Sequence, residues 1–110
     1  MKAIYWQKGD AIDFANATES TIPANTLVAL GTHVGVAGTD IPAGGTGTLL
    51  VSGVWKLAKK ADEAIAAGVD VYFSAADDAV TATATENIAC GYAIASAATG
   101  DGTVLVRLPG

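Results

Sequence analysis

Apolar and polar residues alternate with a period of two along most of the chain, the repeat of a strand with one buried face. From residue 49 to 57 the odd positions carry Leu49, Val51, Gly53, Trp55 and Leu57, while Ser52 and Lys56 occupy the other face. Val69, Val71 and Phe73 alternate with Asp70, Tyr72 and Ser74. Val80, Ala82 and Ala84 alternate with Thr81, Thr83 and Thr85, a threonine-lined face that suits a pleated surface. Ile88, Cys90, Tyr92 and Ile94 fall on one side of a further strand, as do Val104, Val106 and Leu108 near the end. Weaker strand patterns occur at Ala11–Ala15 and at residues 26–30 and 34–37.

Turn residues divide these runs at short intervals. Ile22-Pro23-Ala24-Asn25 and Ile41-Pro42-Ala43-Gly44 are near copies. Each places Pro where a φ near −65° suits the first central turn position, then Asn or Gly where a left-handed residue is needed. Ala67-Gly68 before Val69 resembles a third, degenerate version, and residues 76–78 and 99–102 supply two further hairpin-type turns. Residues 62–67, closed by Gly68, read either as a helical turn or two, with acidic residues at the start, or as a loop with Ile65 tucked inward. Many short strands at close spacing predict an all-β fold, a small β-barrel or β-sandwich of antiparallel strands with at most one short helical turn. No linker or change of composition divides residues 1–110, which read as one domain.

Composition adds a constraint on assembly. Hydrophobic residues make up 51% of the 110 residues and charged ones 15%, with aromatics at 6%. The apolar content is mostly Ala and Val, so each buried position contributes little at roughly 25 cal/mol per Å². So small a core, under an exterior with few charges, favours further burial in an oligomer or assembly. The net charge of −5 and the scattered basic residues argue against a nucleic-acid partner, which needs clustered Lys and Arg at phosphates. Lys56, Lys59 and Lys60 are the closest group and read as a solvated strand end. No apolar run approaches the roughly 20 residues that span a bilayer. The first residues, MKAIYWQKGD, lack a signal-peptide core, so a cytoplasm-like compartment is expected.

Tests for catalytic and cofactor motifs fail in turn. The glycine-rich run of residues 43–48 lacks the adjacent Lys and the following helix of a phosphate loop, and Leu50 stands where a dinucleotide fingerprint needs its third Gly. Ser52 sits in a strand pattern without a nucleophile elbow. His33, the single histidine, lies between glycines at a turn or strand edge. Cys90, the single cysteine, is set among small apolar residues that would raise its pKa rather than activate it, which disfavours a Cys90–His33 pair. Asp77 with Asp78, or Asp10 with Asp13, offers only a start toward a cation site. No catalytic residue, cofactor or metal is therefore assigned, and the chain reads as a non-enzyme. Ile4, Tyr5 and Trp6 are the candidate partner-binding residues. Residues 1–9 form either a first edge strand with Tyr5 or Trp6 inward or an N-terminal arm whose aromatics anchor on a neighbour.

The order of these features resembles a known family. Gly9-Asp10 with Ile12-Asp13-Phe14 precedes Ile22-Pro23-Ala24-Asn25. Then follow residues 34–37, Asp40-Ile41 with its glycines, Ser52-Gly53-Val54-Trp55-Lys56-Leu57, Ala66-Ala67-Gly68 with Val71-Tyr72-Phe73, and Gly91-Tyr92-Ala93. The order is similar to that of small phage and prophage capsid cement, or decoration, proteins, a family also labelled a predicted recombinase of the RecA/RadA type. A recombinase of that type needs a phosphate-loop lysine and a much larger α/β domain, so the second label conflicts with the residues. The first implies a structural virion protein made in the host bacterial cytoplasm. It would sit on the outer capsid surface as a homotrimer and bridge the phage major capsid protein. A small oligomeric β-module that binds a ligand or glycan is the alternative; the scarcity of aromatics disfavours it.

Overall fold

The period-two segments fold into nine short strands in a computed structural model that describes residues 1–108. They are β1 (Ala11–Ala15), β2 (Leu27–Leu30), β3 (His33–Ala37), β4 (Thr46–Leu50), β5 (Val54–Ala58), β6 (Asp70–Ser74), β7 (Ala79–Thr81), β8 (Ile88–Ala93) and β9 (Thr103–Arg107). β1, β4, β3 and β2 lie side by side in one sheet, and β5, β9, β8, β6 and β7 in the other. All strand pairs are antiparallel. A parallel bridge between Lys59 and Val80 brings the end of β5 beside β7, so the five-stranded sheet curls toward closure. The fold is all-β, and no helix occurs among the described residues.

The main core lies between the sheets. Val34 and Val36 of β3 pack against a cluster that includes Val71, Val80, Cys90, Ala93, Val104 and Val106, with Ile65, Ala97 and Leu108 completing it. The neighbour of Val36, Ala37, points to the reverse side of the smaller sheet and pairs with Leu49. There Ile41 lies so close over Gly47 that an added Cβ would fall 2.5 Å from its Cγ1. Buried Asn16 ties this side together: its amide donates to the carbonyls of Ser20 and Ile41, and its Oδ1 accepts from the Thr18 backbone and hydroxyl.

The turns follow one repeated plan, with a shift from the expected register. In each, a backbone amide closes on the carbonyl three residues earlier: Thr26 on Pro23, Gly45 on Pro42, Val69 on Ala66 and Asp101 on Ala98. The third residue of each turn has positive φ: 68° at Asn25, 73° at Gly44, 84° at Gly68 and 96° at Gly100. Pro23 and Pro42 therefore occupy the first corner, not the first central position, and the Asn or Gly requirement falls where expected. The turns are paired by isolated bridges, Ile22 with Ile41 and Ile65 with Ala97, so one device recurs in each half of the chain. Ile65 is the inward residue of a loop, and residues 62–67 form no helix.

Three strand expectations change. The run 49–57 is two strands in different sheets, because Ser52 and Gly53 bend the chain at a φ of 97°. The Thr-lined segment keeps only β7; beyond it the Ala82 amide turns away and donates to the Glu63 carboxylate. In β8 the register against β6 slips between Val71 and Tyr72, which pair with Gly91 and Ala89. Cys90 is the extra, inward residue of this bulge. The face changes there: Ala93 is buried, while Tyr92 and Ile94 turn to solvent instead of sharing the side of Cys90.

Candidate interaction surface

The residues with catalytic potential are dispersed or structural. His33 opens β3 at an exposed position, and Cys90 is buried in the core, where desolvation pushes its thiol up to about 11. Among the described residues no hydrogen bond joins them. Ser52 donates its hydroxyl to Asp10 at 3.3 Å, which braces the bend after β4. Asp77 accepts from the Ser74 hydroxyl and pairs with Lys60 at 3.5 Å, so it serves its own hairpin. Among the described residues no group of three or more His, Cys, Asp or Glu is placed to hold a metal ion.

The basic trio is not simply a solvated strand end. Lys59 is only 4% exposed, and its ammonium donates to the backbone carbonyls of Lys60 and Glu63. Its bridge to Val80 places it at the seam of the curled sheet. A buried ammonium is tolerated when its protons are taken up by acceptors, so Lys59 works as a clasp. The one sequence signal for this is period two, which places Lys59 on the inner side with Leu57.

Two surfaces stand out as apolar and exposed. The first is the segment before β1. Residues 1–8 belong to no strand, with Ile4 89%, Tyr5 72% and Trp6 87% exposed. None of the three turns inward. The Gln7 side chain donates to the Ala11 carbonyl at 3.2 Å, which holds the base of the arm to β1. The second is the outer face of the five-stranded sheet, where Val54, Tyr92, Ile94 and Leu105 face solvent beside Lys56 and Arg107. Exposed aromatic and aliphatic side chains gathered on one surface mark interaction sites, because leaving them in water is unfavourable.

Fold and surface together define a small all-β domain whose distinctive exposed chemistry is an aromatic arm and an apolar sheet face. The chain belongs to the phage cement protein family, which it matches over residues 6–108. Membership points to a non-enzymatic, structural role on a phage capsid; the RecA/RadA recombinase label gains no support from it. No curated protein and no solved structure matches the chain. Among the described residues no helix is long and apolar enough to cross a membrane.

Proposed function

We propose that this protein binds the outer surface of an assembled phage shell as a homotrimer and bridges neighbouring major capsid subunits. The cement family match across residues 6–108 carries this reading. The exposed arm supports it, and Ile4, Tyr5 and Trp6 are assigned as the partner-contact segment. The mechanism is binding alone. A protein that binds the assembled shell but not its separated subunits shifts the equilibrium toward the shell, by about 2.7 kcal/mol per site at a free concentration 100 times Kd. The protein is made in the host cytoplasm and resides on the virion exterior.

The test is co-sedimentation with expanded shells, paired with the shells' melting temperature. Saturable binding and a raised shell melting temperature are expected. A chain that stays in the supernatant at saturating concentration refutes the reading.

A further inference from the structure

The outer face of the five-stranded sheet has an ordered layout. Val54 pairs with Arg107, Arg107 with Tyr92 and Tyr92 with Asp70, so these four form one row crossing β5, β9, β8 and β6. Opposed residues of an antiparallel pair lie on the same face. The next row holds Lys56 opposite Leu105, with the Ile94 amide donating to the Leu105 carbonyl at 3.0 Å. On this face an open hollow of about 420 Å³ forms among Asp70, Tyr72, Tyr92 and Arg107, with the Gly91 backbone at its wall.

Charge singles out the same face. Of the six basic residues, Lys59 is buried, Lys60 pairs with Asp77, and Lys2 and Lys8 belong to the arm. The other two, Lys56 and Arg107, both lie on this face. Two molecules of net charge −5 repel, and Lys56 and Arg107 put positive charge on this face to offset part of that repulsion.

The arm fits the row in spacing and chemistry. In an extended segment Ile4, Trp6 and Lys8 point to one side. Lys8 to Ile4 spans about 14 Å at roughly 3.4 Å per residue, and β6 to β5 spans about 14 Å over three inter-strand spacings. We propose that the arm of a second copy lies across this row. Lys8 meets Asp70, Trp6 enters the hollow between Tyr92 and the Arg107 guanidinium, and Ile4 covers Val54. Indole faces attract cations, and Trp is among the residues enriched at interface hot spots. The receiver belongs to a second copy because the arm starts from β1 in the other sheet, is held there through Gln7, and leaves its own Trp6 bare. Arm and receiving face are different surfaces, so copies can link head-to-tail, and three of them can close a ring. This inference deepens the contact-segment assignment above and rests on it.

The test is sedimentation velocity on the full chain without shells. Wild type is expected to self-associate, and Trp6→Ala to weaken association by roughly 30-fold, the scale of an interface hot spot. Lys8→Asp and Asp70→Lys are each expected to weaken it at least about threefold, and the double variant to recover it by restoring the opposite charges. Neither side chain makes a hydrogen bond or ion pair among the described residues, so both variants should fold, as thermal melts will show. A monomeric wild type, an unaffected Trp6→Ala, or a double variant weaker than either single one overturns the proposal. A monomer that still coats shells, and loses them on Trp6→Ala, overturns the second-copy contact but leaves the cement function intact. A ring that ignores shells does the reverse.

Discussion

Adding one methyl group at Gly91 tests how the bulge holds the larger sheet together. Its backbone φ is 124°, in a region that side chains rarely adopt, and a Cβ there would stand 1.9 Å from the Arg107 carbonyl oxygen and 3.0 Å from its carbon. The conformation alone costs about 1–3 kcal/mol for a residue other than Gly. The clash is with backbone, so β8 must move off β9 where Tyr92 pairs with Arg107 and Ala93 with Val106. Weakening that pairing adds about 1 kcal/mol per hydrogen bond lost. A total near 3–5 kcal/mol is a large share of the 5–15 kcal/mol that holds a typical domain. For a domain of this size, a loss of 3 kcal/mol lowers Tm by roughly 12–24 °C. Circular dichroism melts of Gly91→Ala and Gly102→Ala measure it. A Cβ added at Gly102 would meet nothing within 4 Å, so that variant should change stability by less than about 0.5 kcal/mol. A Gly91→Ala protein melting within about 3 °C of wild type would refute the reasoning.

Lys59→Met keeps the aliphatic stem but leaves the Lys60 and Glu63 carbonyls without their donor, and a loss of about 1–3 kcal/mol is expected in urea unfolding. An unchanged midpoint would show that the clasp contributes nothing. The Cys90 thiol, raised from 9.0 to about 11 in the fold, binds its proton more tightly folded than unfolded. Its contribution is therefore fully present below pH 9 and is lost as pH rises toward 11, at up to about 1.4 kcal/mol per pH unit. Denaturation series at pH 8 to 11 should show a steeper decline in wild type than in Cys90→Ala; parallel curves would contradict the shift.

Much of the fold was legible because side-chain alternation and turn residues are local. β1 falls at the residues where the pattern placed it, and the inward set Val104, Val106 and Leu108 is buried. Alternation does not reveal which sheet a strand joins. The run 49–57 keeps its parity through Gly53 while crossing from one sheet to the other, so it read as one element. A bulge is equally silent, since Cys90 and Tyr92 look alike to a period-two rule until an extra residue in β8 separates them. The turn expected at residues 99–102 starts one residue earlier and follows the repeated plan, a kinship hidden because Ala97-Ala98-Thr99-Gly100 carries neither Ile nor Pro. For the surface, Ile4, Tyr5 and Trp6 were picked out by residue type alone. The sheet face needed strand order, because Val54, Tyr92 and Leu105 come from distant parts of the chain and meet only through pairing.

The arm also has a mechanical side. Residues 1–8 can extend to about 27 Å before pulling taut. Whatever grips its tip, tension then passes to β1, whose full length from Ala11 to Ala15 is laddered to β4. Load along that strand falls on all of its cross-strand bonds together, whereas peeling would break them singly. The linkage therefore behaves as a slack tether on a shear-resistant anchor. Such a coupling can absorb changes in spacing between neighbours while the β-domain stays folded.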